Sequence, residues 1–367
     1  ESEDAKIIEN DQLSKSIKKN RGTSAKAIRY IRAFINFFGG EWVITSSSYI
    51  KDKTILKVAG ILKKFGLNIL FEEHTGRPPV KITGKNLKGR ILRVDGSINS
   101  KVIEAKLLLS SNIQNETITE LKDFIMKSGY IVMTLKALQY LGVNTDWKEE
   151  EILVEHEIFD GSELTIESDW SMASYWYQAV ALSQKGSIVL KGLNPASLQC
   201  ETAVKDIYKH FGAATSITSE DDVAIKRKGK AIQNFNHNFS NYPDLLPSVA
   251  VTCVCLGIPF NIGGIENLRH KDPDRIQSLQ AELAKVGAVI NVETQDNKEA
   301  LVFNGKSKIN GLKEVEFDTH NDHRMALSLA PVCLMGIKVT VDNPWVTNKS
   351  YTTYWDDLKK VGVNIAG

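Results

Sequence analysis

This sequence predicts an α/β protein assembled from repeated units and divided into two lobes, and three observations carry that reading. Its 367 residues exceed the roughly 250–300 at which a single core stops growing, so two domains are expected. Five segments share one grammar: an amphipathic helix, an apolar residue, a glycine and a β-rich run. Their glycines, Gly66, Gly142, Gly212, Gly287 and Gly362, follow one another at intervals of 76, 70, 75 and 75 residues. That period is too long for a solenoid repeat of about 20–50 residues and suits a larger unit of strands, helices and a hairpin.

In order, the segments are VAGILKKFGLNIL, LKALQYLGVNT, VKDIYKHFGAATSI, LQAELAKVGAVINV and WDDLKKVGVNIAG. In each, a helix is expected to stop at a glycine able to take a left-handed conformation and to feed a strand directly. Lys63, Lys64, Lys209, Lys285, Lys359 and Lys360 fall in last helical turns, where cations suit the helix dipole. Lys228-Gly229 and Asn304-Gly305, each between β-rich runs, are predicted as hairpin turns. The acidic, turn-rich stretch from Gly161 to Asp169 separates an N-terminal lobe, 1–166, from a C-terminal lobe, 167–367. It leads into the helix SMASYWYQAVALS, with Asp169 or Ser171 as its N-cap.

Composition narrows the function. Hydrophobic residues at 42% and charged residues at 25% are ordinary globular usage and exclude a fibrous or disordered chain. Forty-six basic against 44 acidic residues give a net charge of +2, too balanced for a coat on nucleic acid, although local basic clusters can still hold anionic small molecules. The longest apolar stretch, Val249 to Phe260, falls short of the roughly 20 residues that span a bilayer. No signal peptide is visible, and the chain opens without Met, so its start is expected to lie upstream. Cys200, Cys253, Cys255 and Cys333 lack metal-ligand spacing. Cys253 and Cys255, two apart in an apolar run, are expected as small buried thiols, and a reducing cytoplasm with no metal is the expected setting.

Four short segments look unlike scaffold. Asn321-Asp322-His323-Arg324-Met325-Ala326 opens an apolar helical run; Asn321 or Asp322 can cap it, leaving Arg324 as a cation in its first turn, which is costly unless an anion lies alongside. Asn267 to Arg275 packs cations and carboxylates ahead of an amphipathic helix, either as a solvated loop or as an anion site. Asn241-Tyr242-Pro243-Asp244 places a carboxylate at the mouth of the uncharged run LLPSVAVTCVCLG, as an N-cap or as an acid or base. Asp95 to Lys101 (DGSINSK) has the small-residue turn and cationic end of an anion-binding nest, without nucleotide P-loop spacing. Together they point to a cleft lined by Arg and Lys, with a few carboxylates, suited to polyanionic small substrates.

NDHRMA followed by TNKSYTTYWDDL resembles the C-terminal signature of 5-enolpyruvylshikimate-3-phosphate synthases (3-phosphoshikimate 1-carboxyvinyltransferases). The order of GRPP, DGSINSK, SDWSMASYW, the YPD segment and the KDPDRI segment agrees over nearly the whole chain. The resemblance implies a two-lobed inside-out α/β barrel built of βαβαββ units, the first of them incomplete because the chain begins inside the family sequence. It implies an enolpyruvyl transfer from phosphoenolpyruvate to the 5-hydroxyl of shikimate 3-phosphate, by addition and then elimination of phosphate. No cofactor, nucleic acid or membrane is implied, and a monomer is expected. By position, Asp244 matches the proton acceptor, Asp272 stands where the family has a catalytic Glu, and His323 lies beside the phosphoenolpyruvate cations. Asn99, Ser100, Lys101, Lys127, Tyr130, Asp244, Asn267 and Lys271 correspond to the shikimate-phosphate site. Ala25, Arg29, Arg275, Arg324 and Lys349 correspond to the phosphoenolpyruvate site.

The chain departs from the pattern at Ala25 and Lys26, which replace Gly and Thr, at Tyr49, which replaces an Arg, and at Lys101 and Lys127, which replace Gln and Ser. Ala25 fills a position where glyphosate and phosphoenolpyruvate crowd the backbone in the family. A sister transferase acting on a UDP-amino sugar carries a reactive Cys in the loop that here is TSSSYIKDK, and no Cys precedes Cys200. A catalytically impaired homologue that binds shikimate phosphate or a protein partner is the alternative that the replaced ligands allow. Nucleic-acid binding through Lys226-Arg227-Lys228 rests on three cations at an expected hairpin tip, a pattern usually just solvated.

Overall fold

The computed structural model describes residues 16–17, 41–44, 63, 68–71, 75, 80–83, 91–95, 100–111, 117–122, 129–157, 165–183, 185–218, 222–269, 271, 273–295 and 298–366. The chain divides into two compact units, Glu1–Leu164 and Thr165–Gly367.

In the N-terminal unit, strands β1 (Ser16–Ile17), β2 (Glu41–Ile44), β3 (Asn68–Phe71) and β4 (Val80–Thr83) form a sheet of order β1-β2-β4-β3. A second sheet comes from β5 (Ile91–Asp95), helix α1 (Ser100–Ser110), β6 (Thr117–Lys122), α2 (Gly129–Tyr140), β7 (Thr145–Lys148) and β8 (Glu151–Val154). Its order is β5-β6-β8-β7, with the first pair parallel and the others antiparallel. Ile131, Leu135 and Leu138, spaced to share one face of α2, meet Ile103 and Leu107 of α1 and Ile152 and Val154 of β8 in its core.

The C-terminal unit opens with α3 (Trp170–Leu182), β9 (Ser187–Lys191), α4 (Val204–Lys209), β10 (Ala213–Ile217) and β11 (Asp222–Arg227), whose strands pair antiparallel in the order β10-β11-β9. Next come β12 (Phe235–Asn238), α5 (Leu246–Leu256), β13 (Phe260–Gly263), a short helix α6 (Glu266–Arg269), α7 (Arg275–Ala284), β14 (Ile290–Gln295) and β15 (Lys298–Phe303). They form a sheet of order β12-β13-β15-β14. Finally β16 (Glu314–Phe317), α8 (His323–Leu329), β17 (Lys338–Val341) and α9 (Tyr354–Lys360) contribute a parallel pair. Helices α3, α5 and α8 pack on one another. They are buried nearly all round, while β9 and β17 alternate exposed with half-buried residues. Within this unit, then, helices fill the inside and strands turn one face to solvent. Apolarity all round α5 is what a central helix requires.

The predicted repeat is visible in the topology. The sheets β1-β2-β4-β3, β5-β6-β8-β7 and β12-β13-β15-β14 share one strand order with one parallel pair, the arrangement that a βαβαββ unit produces. Gly142, Gly212, Gly287 and Gly362 have φ of +89°, +80°, +73° and +93°, the left-handed stop expected of them; Gly66 lies outside the described residues. At Gly287 the requirement is doubled, because a Cβ there would lie 2.7 Å from Lys308 Cγ.

Three sequence expectations need correction. Neither Lys228-Gly229 nor Asn304-Gly305 turns a hairpin; the hairpins run β10 to β11 and β14 to β15 instead. Gly305, with φ +83°, turns the chain tightly against Pro259 and the Gly257 carbonyl. After Gly229 the chain runs back along the end of α4, where Ile232 N–H donates to the His210 carbonyl at 2.9 Å. Last, Gly362 feeds no strand; Val363 and Ile365 beyond it are half-buried against the core. Cys253 and Cys255 are buried in α5, and all four cysteines are free. Among the described residues no helix is long and apolar enough to cross a membrane. Nor does any group of three or more His, Cys, Asp or Glu come together there to hold a metal ion.

Candidate active site

Two capped helix starts and one helix mouth meet inside the C-terminal unit. Asp274 caps α7 by accepting from the N–H groups of Ile276 and Gln277 at 2.9 and 3.2 Å, which puts Arg275 first in that helix. Asp322 caps α8 by accepting from Arg324 N–H at 2.8 Å. The Pro243–Leu245 segment is a short 3₁₀ turn leading into α5, and it has no side-chain cap. Asp244 is therefore not an N-cap.

Its carboxylate lies between two guanidinium groups: Oδ1 accepts from Arg275 Nη1 at 3.0 Å, and Oδ2 lies 3.0 Å from Arg324 Nη2. Arg275 Nε donates to Asp322 Oδ2 at 2.7 Å. The result is an alternating chain, Asp322–Arg275–Asp244–Arg324, with no net charge. Both arginine side chains are 6% exposed, Asp322 is 6% exposed and Asp244 is 12% exposed. Burying an unpaired guanidinium would cost several kcal/mol, so the two carboxylates are what allow the cations to be there.

The electrostatics are mutual. Burial disfavours charge on Arg275, but Asp322 and Asp244 outweigh it and raise the pKa of the guanidinium. Burial likewise pushes the Asp322 carboxyl upward; the charge and hydrogen bond of Arg275, helped by His323 and the Arg324 N–H, reverse that and hold it below the usual carboxylate range. Tyr175, buried on α3, lies with its hydroxyl 3.5 Å from Arg324 Nη1, and burial raises its pKa. It therefore meets the arginine as a neutral phenol.

Lys349 ends the 3₁₀ segment Pro344–Lys349, and its Nζ donates to the Asn321 carbonyl at 2.8 Å. His323 is half-buried beside the chain, its Nδ1 3.8 Å from Asp322 Oδ1. Three described non-glycine residues with left-handed φ stand in the loops that carry these groups: His320 at +49°, Asn321 at +57° and Asn343 at +46°. Each such residue costs about 1–3 kcal/mol and persists only where its surroundings over-determine it.

Of the residues singled out in the sequence, Asp244, Arg275 and Arg324 thus come together, with Lys349 and His323 alongside. Asn267 is exposed on α6, and half-buried Lys271 follows it on the way to Arg275. Tyr130 stands half-buried at the start of α2 in the N-terminal unit. Ser100 and Lys101 begin α1. Ala25, Lys26, Arg29, Tyr49, Asn99, Lys127 and Asp272 lie outside the described residues. Sequence reasoning took Asp322 only for a cap and passed over Tyr175; the second cation of the chain, waiting for a partner, was the signal for Asp322.

Chemically, the chain can meet an anion. A guanidinium carries five donors in a planar fork that matches carboxylate and phosphate oxygens, and the bound carboxylates hold both forks in place.

Comparison with known proteins gives a consistent result. The sequence profile of the EPSP synthase (3-phosphoshikimate 1-carboxyvinyltransferase) family matches residues 2–358. A 3-phosphoshikimate 1-carboxyvinyltransferase of Bacteroides fragilis (strain YCH46) is 31% identical over 340 residues, covering 92% of this chain and 82% of that one. One from Aliivibrio salmonicida (strain LFI1238) is 28% identical over 372 residues, covering 99% and 84%. The solved EPSP synthase from Acinetobacter baumannii shares the fold, with a TM-score of 0.65 at 21% identity over 93% of this chain and 78% of that one. This chain belongs to the EPSP synthase (3-phosphoshikimate 1-carboxyvinyltransferase) family.

Proposed function

We propose that the protein transfers the enolpyruvyl group of phosphoenolpyruvate to the 5-hydroxyl of shikimate 3-phosphate and releases inorganic phosphate. In the first step the hydroxyl oxygen bonds to C2 of phosphoenolpyruvate while its C3 gains a proton and the hydroxyl loses one. In the second, the C2–O bond to phosphate breaks and C3 returns a proton, leaving the enolpyruvyl ether. The observation that supports this reading is the buried Asp322–Arg275–Asp244–Arg324 chain in a member of this family. Arg275 and Arg324, with Lys349 and Arg29, are assigned to the carboxylate and phosphate of phosphoenolpyruvate. Cations fixed in advance where charge develops stabilise the transition state more than any other device open to such a site.

Asp244 is assigned as the acceptor of the hydroxyl proton, and Asp272 and His323 as proton carriers at the vinyl carbon. Asn99, Ser100, Lys101, Lys127, Tyr130, Asn267 and Lys271 are assigned to shikimate 3-phosphate, and Ala25 to the phosphoenolpyruvate side. We place the enzyme in the cytoplasm as a monomer, a setting that its free cysteines suit. Mixing the protein with both substrates tests the reading: phosphate release must require both together and must be lost in Arg324→Ala. If wild type releases none while calorimetry records shikimate 3-phosphate binding, the impaired-homologue alternative replaces it.

A further inference from the structure

The turn that carries Asp322 is clasped from outside the charged chain. Strand β16 ends at Phe317, and the left-handed pair His320-Asn321 swings the backbone into the α8 cap. Glu282, in the last turn of α7, sends a 2% exposed carboxylate to this turn. It accepts from Asp318 N–H at 2.9 Å, from His320 Nε2 at 2.8 Å and from Lys285 Nζ at 2.7 Å. Since a carboxylate can only accept, the proton of the His320 contact sits on Nε2. Asp318 Oδ1 in turn accepts from His320 N–H at 2.6 Å.

Helix α7 therefore grips both ends of one five-residue turn: Arg275, at its start, holds Asp322, and Glu282, near its end, holds Asp318 and His320. Local stability does not ask for a carboxylate at that place, which is buried and at the negative end of the helix dipole. The turn does ask for it, because two successive non-glycine residues in the left-handed region relax unless held. What the turn presents are the Asn321 carbonyl that receives Lys349 and the Asp322 carboxylate that receives Arg275.

We infer that Glu282 and His320 are positioning residues for the phosphoenolpyruvate cations, acting through the turn to set Lys349 and Arg275. This rests on the proposed reaction for its substrate, and on the geometry alone for the turn.

The test uses the full chain and the variants His320→Leu, His320→Gln and Glu282→Gln, assayed below their melting temperatures. Steady-state phosphate release gives kcat and KM for phosphoenolpyruvate, and calorimetry gives its Kd in the presence of shikimate 3-phosphate. His320→Leu is expected to raise KM and Kd for phosphoenolpyruvate about tenfold, the equivalent of one lost hydrogen bond to a charged group. KM for shikimate 3-phosphate should stay nearly unchanged. His320→Gln, whose amide nitrogen can reach Glu282, should recover most of that loss, and Glu282→Gln should behave like the Leu variant. A Leu variant that melts earlier yet keeps wild-type KM and Kd refutes the inference, as do equal losses in the Leu and Gln variants. Wild type that binds phosphoenolpyruvate without releasing phosphate would sink the proposed reaction alone, since the Kd comparison still decides the positioning role.

Discussion

Replacing Asp244 by Asn changes one atom and one charge at the centre of the buried chain. The carboxylate now serves Arg275 and Arg324 with different oxygens, each at 3.0 Å. An amide has one oxygen to offer, and its NH₂ would face the other guanidinium donor to donor. Arg275 keeps Asp322 at 2.7 Å, whereas Arg324 has the Tyr175 hydroxyl at a longer 3.5 Å, so the oxygen should turn to Arg324. One hydrogen bond to a charged group is then lost, about 1.5–3 kcal/mol. For a unit of this size that lowers the melting temperature by roughly 3–12 °C.

The catalytic effect should be of another order. If Asp244 accepts the substrate proton, its loss removes a contribution of about 10²–10⁴ to kcat, far more than misfolding at a temperature below the transition explains. The assay is phosphate release at saturating levels of both substrates, normalised to folded protein by calorimetry of the same sample. The variant also leaves the four-residue chain with one unit of positive charge, so phosphoenolpyruvate should protect it against heat more than it protects wild type. A variant that melts early but turns over within about tenfold of wild type would refute Asp244 as the proton acceptor and reduce it to a counter-ion.

Three further outcomes follow from the same geometry. Because Arg275 holds the folded-state pKa of Asp322 below its unfolded value, of about 3.9, the stabilisation is complete above that value and is lost as pH falls through the folded one. Urea midpoints of wild type should therefore decline from about pH 4 downward, and Asp322→Asn should be less stable at neutral pH with a flatter acid limb. Gly287→Ala meets the Lys308 side chain at 2.7 Å as well as the left-handed penalty, while Gly142→Ala meets open space; both should destabilise by about 1–2 kcal/mol, with Gly287→Ala losing more in thermal melts. Ala25→Gly, which removes a methyl group where the family crowds glyphosate against the backbone, should increase sensitivity to glyphosate in the phosphate-release assay; unchanged inhibition would refute that placement.

How much of this was legible in the sequence depended on whether the information was local. A glycine that must be left-handed leaves a mark at one position, and four of them at a near-constant interval showed the repeat and the helix ends. The caps Asp169 and Asp322 were similarly near at hand, since each bonds to the N–H two residues on. The hairpins were misplaced because Gly305 serves a contact with Pro259, 46 positions away, that no window around Asn304 contains. Glu282 left a fainter trace: in LQAELAKVG it falls on the apolar stripe of Leu279, Leu283 and Val286, where a charge needs a buried partner. Which partner, the pattern could not give, because His320 is 38 residues downstream.

The same distinction explains why the charged chain is assembled from separate blocks. Asp244, Arg275 and Asp322–Arg324 each sit at the start of a different helix, where a cation by itself is unfavourable. The starts of α7 and α8 would each disfavour their own arginine, and only when the three starts converge do the two carboxylates make both cations tolerable. The charged chain is thus specified by the fold rather than by any segment, and its four members carry no net charge. An entering dianion must compete with Asp244 and Asp322 for the same donors, which favours ligands with several oxygens over single-charge anions. If Asp244 is the proton acceptor proposed above, the same competition would tie release of its carboxylate to arrival of the substrate. Inorganic phosphate and acetate, compared at equal concentration for protection against thermal unfolding, separate the two cases: equal protection would mean that the chain does not discriminate by charge and oxygen number.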